Sequence, residues 1–302
     1  MCLSINIRGF FMPQQGRVQA ERLNPMQQMV KVSQSQKLLS WRQPGQAKQS
    51  WWRKHQLELI ALPAGVLILI GLWALVTLIG NYPVFILPGP LLVFDKLIEI
   101  VADGTLWFHT QATLTEIMGG LALGLSTATI LGYILAKSPI LERLAGPYIV
   151  ASQSIPAVAI APLLVIWFGS GKLSKVLICA LIVFFPVLIN TIVGIRSVDP
   201  GLKTLMRSLR ANRWQMFIWL EVPAAMPVLL GGLKIGGTLS VIGAVVGEFV
   251  GADHGLGYLI NLSKGLFNTP LLFAALITLS LISLTLYLIV TGLERWLLAW
   301  RR

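Results

Sequence analysis

The sequence predicts an all-α membrane protein that crosses the bilayer with six helices. Of its 302 residues, 55% are hydrophobic and only 12% are charged, and the mean hydropathy is +0.75. Several apolar runs are longer than the roughly 18 residues that a helix needs to cross a hydrocarbon core about 30 Å thick. This composition excludes an ordinary soluble domain. The predicted spans are 57–79, 112–136, 144–168, 175–195, 223–250 and 270–293.

The first 56 residues differ in composition from the rest of the chain. They hold nine basic residues and one acidic residue, Glu21, and they show no helical or alternating periodicity. We therefore predict a disordered basic cytoplasmic tail at 1–56 and one six-helix domain at 57–302. No nucleic-acid-binding fold signature accompanies the charge, so we expect no nucleic-acid partner.

The distribution of lysine and arginine predicts the orientation in the bilayer. Six spans place both termini on one side. With the N terminus inside, the segments 137–143 and 196–222 and the C-terminal end hold ten basic residues, and the opposite loops hold four. Cytoplasmic loops carry the excess of basic residues. The sequence thus predicts cytoplasmic termini, a cytoplasmic 196–222 loop, and external segments at 81–110 and 251–269.

Prolines lie inside the third and fourth predicted spans. Pro156 and Pro162 lie in the third span, and Pro186 lies in the fourth. Proline lacks a backbone donor and clashes with the preceding turn, which kinks or breaks a helix. Such kinks are tolerated where neighbouring helices or cavity water satisfy the freed carbonyls. We expect these three residues to shape a cavity or a gate.

Three charged residues are expected at membrane depth, namely Glu116, Lys234 and Glu248. Ionisable side chains there are costly and usually face a cavity or a partner. They are therefore candidates for a translocation pathway. Simpler roles stay open, because the stem of Lys234 can extend to the interface and Glu248 can accept a hydrogen bond from a loop amide.

The loop at 196–222 is basic and amphipathic. It carries Arg207, Arg210 and Arg213 at a spacing of three, which places them near one face of a short helix. Such a helix can rest on lipid headgroups. It can also dock a cytosolic partner.

This loop resembles the cytoplasmic loop of permease subunits of ATP-binding-cassette (ABC) importers. That loop reads E-A-A, three residues, G, nine residues, then I-x-L-P, and Leu220-Glu-Val-Pro223 matches its second half. The first half departs, because residues 204–206 are Thr-Leu-Met and Arg210 replaces the glycine. Glycine permits the turn between two short helices. We therefore expect Ala211 and Asn212 to supply the turn, with Asn212 in the left-handed conformation.

Other motifs resemble the branch of these importers for taurine, alkanesulfonates, nitrate or bicarbonate, and thiamine-precursor pyrimidines. The resemblance covers about residues 57–300, with the core importer fold at about 110–294. The motifs are Leu87-Pro-Gly-Pro90, Ile155-Pro156 with Pro162, Trp167-Phe-Gly169, and Gly247-Glu-Phe-Val-Gly251 with Gly255-Leu-Gly257.

The resemblance implies a type I importer permease bundle in the bacterial inner membrane. It also implies a homodimer, although a heterodimer stays open, with two cytosolic ATPase subunits and an external solute-binding protein as partners. The residues that it assigns to ATPase coupling are Arg207, Arg210, Ala211, Asn212, Arg213, Trp214, Glu221 and Pro223.

The chain itself is not expected to be an enzyme or to bind a cofactor or metal. No G-x-x-x-x-G-K-[ST] motif occurs, and Gly169-Ser-Gly-Lys172 lacks the spacing of one. Cys2 and Cys179 are far apart, and the three histidines are scattered. Two alternatives are a stand-alone secondary transporter or channel, which needs an ion relay, and a scaffold or sensor whose loop binds only lipid.

The transported solute stays open at the level of sequence. The stretch 205–250 most resembles permeases for thiamine precursors and riboflavin-like compounds. A sulfonate or nitrate stays open as well, because the binding protein supplies most of the selectivity in such importers.

Overall fold

A computed structural model describes residues 51–299 of the chain, with side chains from residue 63. Residues 1–50, most of the predicted tail, lie outside the described residues. The described residues divide into two units, one that ends at Ile68 and a larger one that begins at Leu69. In chain order the helices are α1 (Trp51–Gly80), α2 (Pro90–Ala102), α3 (Thr105–Lys137), α4 (Pro139–Gln153), α5 (Ala157–Phe168), α6 (Lys172–Arg196), α7 (Pro200–Ser208), α8 (Arg213–Met216), α9 (Val222–Gly251), α10 (Leu256–Gly265) and α11 (Thr269–Leu297).

Five segments of the described chain are long and apolar enough to span a membrane, and they correspond to the first, second, fourth, fifth and sixth predicted spans. These predictions are confirmed. The segments are Pro63–Gly80, Thr105–Lys137, Lys172–Arg196, Arg213–Gly251 and Thr269–Leu297.

The third predicted span, 144–168, is not a continuous helix. It is a pair, α4 and α5, which meet at an angle of 90° and make a sixth crossing only when taken together. The break lies before Pro156, which lacks a backbone N–H and whose ring disfavours helical backbone at Ile155. By contrast, Pro162 and Pro186 lie inside α5 and α6. Of the three expected kinks, only Pro156 coincides with a break between helices.

Two helices lie in the segments that the sequence predicts to be external. The helix α2 occupies the middle of 81–110, and α10 occupies most of 251–269. Both are too short to be recognised as spans, at 13 and 10 residues. The sequence nevertheless contains a signal for the start of α2, because proline is favoured at the first position of a helix and Pro90 occupies it.

The helix α6 lies at the centre of the bundle, in direct contact with α3 and α9. Small residues make this close approach possible. An added Cβ at Gly243 of α9 would stand 2.7 Å from the Cα of Cys179, and one at Gly124 of α3 would stand 2.8 Å from the carbonyl oxygen of Ala180. Close backbone contacts between small residues are the usual basis of helix association in membranes. This packing fixes the positions of the buried polar groups described below.

Candidate functional site

The loop to which the resemblance assigns ATPase coupling is called the coupling loop below. It comprises α7, α8 and the π-helical turn Phe217–Glu221, which leads directly into α9. Its first helix is capped by Asp199, whose carboxylate accepts the N–H of Gly201 at 2.6 Å. Pro200 occupies the first helical position, where its missing N–H costs nothing. Pro223 is the second residue of α9. The loop is therefore an ordered pair of short helices.

The turn between α7 and α8 is made by Arg210, which has φ of 54°. The N–H of Arg210 bonds to the carbonyl of Arg207 at 2.9 Å, and the N–H of Ala211 bonds to that of Met206 at 3.0 Å. These two bonds define a Schellman motif, in which the left-handed residue is usually glycine. Arg210 thus adopts the left-handed conformation that glycine usually takes in this motif.

The expectation that Asn212 takes the left-handed conformation is wrong. Its φ is −74°, and it caps the start of α8 instead. Its side chain accepts the N–H of Gln215 at 2.7 Å, and the side chain of Gln215 accepts the N–H of Asn212 at 2.8 Å. This reciprocal capping box satisfies two otherwise unpaired donors. It outweighs the tolerance of asparagine for positive φ.

An aromatic series leads from the surface of the loop into the bundle. The indole of Trp214 is 67% exposed and stacks on Phe217 with ring centroids 5.6 Å apart. Phe217 in turn meets the edge of Tyr133, on α3, at 5.1 Å. Arg207, Arg210 and Arg213 are exposed on the same loop.

Glu221 anchors the end of the loop. Its side chain is buried and accepts hydrogen bonds from the hydroxyl of Tyr133 at 3.1 Å and from the ammonium of Lys137. Sequence reasoning missed Tyr133 and Lys137, since they lie more than 80 residues away. The cleft beside this anchor has a volume of about 540 Å³ and is lined by Tyr133, Lys137, Arg207, Ala211, Arg213 and Met216. It presents three basic side chains on three different helices.

The candidate pathway residues occupy two separate places. Lys234 pairs with Glu294 of α11 at 2.5 Å and lies over the ring of Tyr287. Glu116 and Glu248 lie together in the core, where each is 1% exposed. Glu248 accepts hydrogen bonds from Thr113 Oγ1 at 2.6 Å and from the N–H of Gly257. The simpler role considered for Glu248, acceptance of a hydrogen bond from a backbone amide near the loop, is thus observed.

A cavity of about 560 Å³ lies at the bend between α4 and α5. Its wall is mainly apolar and includes Phe185 and Pro186 of α6, and Ser152 and Gln153 add polar groups. None of the described residues that line it is charged. Two of the prolines named from the sequence, Pro156 and Pro186, therefore face the same space.

Comparison with known proteins places this architecture in a family. Residues 128–302, more than half of the chain, match the family described as binding-protein-dependent transport system inner membrane component. A solved structure of the MetNI methionine ABC transporter shares the fold, with a TM-score of 0.55 and 18% identity over 62% of this chain and 93% of that chain.

Three relatives show how similar individual members are. The riboflavin transport system permease protein RibX of Chloroflexus aurantiacus is 49% identical over 82% of this chain and 92% of its own length. The formylaminopyrimidine transport permease protein ThiX of Halalkalibacterium halodurans is 36% identical over 78% and 94%. The taurine transport system permease protein TauC of Escherichia coli is 32% identical over 82% and 93%.

Family membership decides between the alternatives that the sequence left open. Members are membrane components of bacterial transporters that work with a binding protein and with separate subunits that hydrolyse ATP. A stand-alone carrier and a lipid-binding scaffold are therefore set aside. The chain belongs to the binding-protein-dependent transport system inner membrane component family, and it is the multi-pass permease subunit of an ABC importer.

Proposed function

We propose that this permease is driven by ATPase subunits docked on the α7–α8 turn, and that it imports a neutral planar heterocycle of the riboflavin or pyrimidine type. It works as a dimer, with a solute-binding protein at the external face and the coupling loop in the cytoplasm. The observation that carries the docking proposal is the continuous set of contacts from exposed Trp214 to buried Glu221.

The contacts provide a mechanical route into the bundle. Trp214 is a rigid apolar side chain suited to a pocket on a partner. The guanidinium of Arg213 offers a planar set of donors to carboxylates or carbonyls. Behind them, Phe217 and Tyr133 lead to α3, and the Lys137–Glu221 ion pair joins α3 to the start of α9. Displacement of the docked turn would therefore move both helices.

The bend cavity supports the choice of solute. Its volume of about 560 Å³ falls in the range of small-molecule pockets, which is about 300–1,000 Å³. The ring of Phe185 offers a face for stacking, and Ser152 and Gln153 offer hydrogen bonds. A sulfonate would call for a cationic side chain, and the described lining has none. The 49% identity to the riboflavin permease favours the same class of solute.

The test is uptake by a reconstituted transporter. We would purify the chain with its ATPase and solute-binding protein, once these are identified, and place the complex in liposomes that contain ATP. Riboflavin, formylaminopyrimidine and taurine would be offered separately. We expect ATP-dependent accumulation of one of the two heterocycles and none of taurine. Accumulation of taurine alone would overturn the solute proposal, and uptake without the ATPase would overturn the docking proposal.

A pair of matched variants tests the bend cavity. Phe185 lines it, whereas the neighbouring Phe184 faces a different cavity. Stacking on an aromatic ring contributes about 1 kcal/mol. We therefore expect Phe185→Leu to lower heterocycle uptake about fivefold and Phe184→Leu to change it little. Equal effects of the two substitutions would argue against the cavity as a solute site.

A further inference from the structure

The buried carboxyl group of Glu116 has no hydrogen-bond donor. Its side chain is 1% exposed, and neither oxygen meets a partner among the described residues. The carboxyl group of Glu248 lies beside it. An ionised carboxylate without a donor, next to a second carboxylate, is very costly in a buried site.

Glu248 is bonded as an ionised acceptor. It receives the hydroxyl of Thr113 and the backbone N–H of Gly257. Thr113 Oγ1 also accepts the N–H of Leu256 at 2.8 Å. Gly255 and Gly257 lie so close to the Glu248 carboxylate that a Cβ at either position would collide with it. The turn before α10 is thus held on α3 through Glu248 and Thr113.

The charges around the pair balance only if one carboxyl is neutral. On α6, the ammonium of Lys175 is buried and donates to the carbonyl of Ser170. None of the described ion pairs joins it to Glu116 or Glu248. One buried cation and one carboxylate leave the cluster neutral, so the second carboxyl has no counter-charge.

Apart from the exposed Lys172, whose charge is screened by solvent, the other titratable groups near the pair supply no further positive charge. On α3, His109 Nδ1 accepts the N–H of Gly255 at 3.0 Å, which a protonated ring cannot do. On α10, Tyr258 stacks on His109. His254 is paired with Asp253 in the loop. Two more groups complete the surroundings, namely the exposed Lys172 and the buried thiol of Cys179, both on α6.

We propose that Glu116 and Glu248 share one proton, carried on Glu116, and that this acid–carboxylate pair fastens the Gly255–Gly257 turn to α3. The O–H of Glu116 donates to Glu248, which leaves Glu248 free to accept from Thr113 and Gly257. The shared proton thereby fixes the position of the α9–α10 connection, which lies at the end of α9 opposite the coupling loop. The proposal does not depend on which solute is carried.

Thermal unfolding against pH tests the proposal on the full-length chain purified in detergent. The folded pair binds one proton more than the unfolded chain does at neutral pH, so stability falls as the pH rises. Glu116→Gln keeps the donor and has no proton to lose. We expect its unfolding temperature to exceed that of the wild type above neutral pH, with a gap that widens by roughly 3 °C per pH unit.

Two further substitutions serve as comparisons. Glu248→Gln removes the ionised acceptor and should lower the unfolding temperature at every pH. Glu142→Gln, in a partly exposed ion pair with Arg196, should shift it by an amount that does not vary with pH. If the difference in unfolding temperature between Glu116→Gln and the wild type did not change with pH above neutral, the proposal would be overturned, because the folded wild type would then have no extra proton to lose.

Infrared spectroscopy gives a second readout that does not depend on unfolding. A protonated carboxyl has a carbonyl stretch distinct from that of a carboxylate. The difference spectrum between wild type and Glu116→Gln at neutral pH should contain that band. If Glu248→Gln fails to fold, this measurement still decides, since the lack of an acid band in the wild type would overturn the assignment.

Discussion

The ammonium of Lys137, in the last turn of α3, donates to the buried carboxylate of Glu221, at the end of the coupling loop. The two residues are 84 positions apart in the chain. The side chain of Lys137 is 43% exposed and that of Glu221 is 1% exposed. The contact therefore joins a buried charge on the loop to a solvated charge on the bundle.

Replacement of Lys137 by methionine should loosen this junction. Of its donors among the described residues, the carboxylate of Glu221 would keep the Tyr133 hydroxyl alone. Because Lys137 is partly solvated, we expect a loss of about 1–3 kcal/mol of stability, together with lower uptake per ATP hydrolysed. Unfolding temperature and ATP-dependent uptake would be measured on the same preparation.

Lys96→Met is the matched control. Lys96 pairs with Glu99 across one turn of α2, where Glu99 is 60% exposed. An exposed pair of this kind contributes little. Equal effects of the two substitutions would show that the Lys137–Glu221 contact has no special role in the loop.

The sequence predicted the spans well because their signal is strong and local. Long apolar runs fix where helices cross a membrane, and five of the six predicted runs are long apolar segments in the structure. The prediction that the third run forms one continuous helix was wrong, because hydropathy carries no information on the direction in which a helix axis runs. A helix broken at Pro156 keeps the same hydropathy when its two halves turn by 90°.

The site was predictable only in part, for a related physical reason. The motif located the loop. Tertiary packing, which a local motif does not report, determines two other features: the contacts of Glu221 with Tyr133 and Lys137, and the juxtaposition of Glu116 with Glu248. The turn was misassigned because intrinsic preference points to Asn212, while the closing bonds of α7 require the left-handed residue at position 210. An arginine bears that strain.

Arg210→Gly should therefore stabilise the loop. Glycine adopts positive φ without the steric cost that other residues bear. After the greater entropy of glycine in the unfolded chain is deducted, we expect a gain of about 0.5–1 kcal/mol, measured as a higher unfolding temperature. Arg210→Ala is the control, since it removes the charge but keeps the Cβ. A rise in both variants would assign the effect to charge rather than to backbone strain.

The orientation in the membrane can be tested with two single cysteines. In a background with Cys2 and Cys179 replaced by serine, Ser208→Cys lies on the coupling loop and Asp253→Cys lies in the connection after α9. An impermeant maleimide added to spheroplasts should label position 253 at once, and position 208 only after the membrane is permeabilised. The positive-inside bias is the basis of this expectation. The reverse pattern would contradict cytoplasmic termini.

Docking at the α7–α8 turn predicts a specific loss in the double variant Arg213→Glu, Trp214→Ala. Both side chains are exposed, so their replacement should leave folding and membrane insertion unchanged. Loss of an aromatic anchor and a cationic contact at an interface commonly costs 2 kcal/mol or more, so we expect uptake to fall at least about tenfold. Trp296→Ala, which removes an equally exposed indole near the end of α11, is the control. A loop that contacts only lipid predicts lower yield from the charge reversal and little effect from the loss of Trp214. Uptake near wild type in a double variant that inserts at normal levels would therefore rule out docking at this turn.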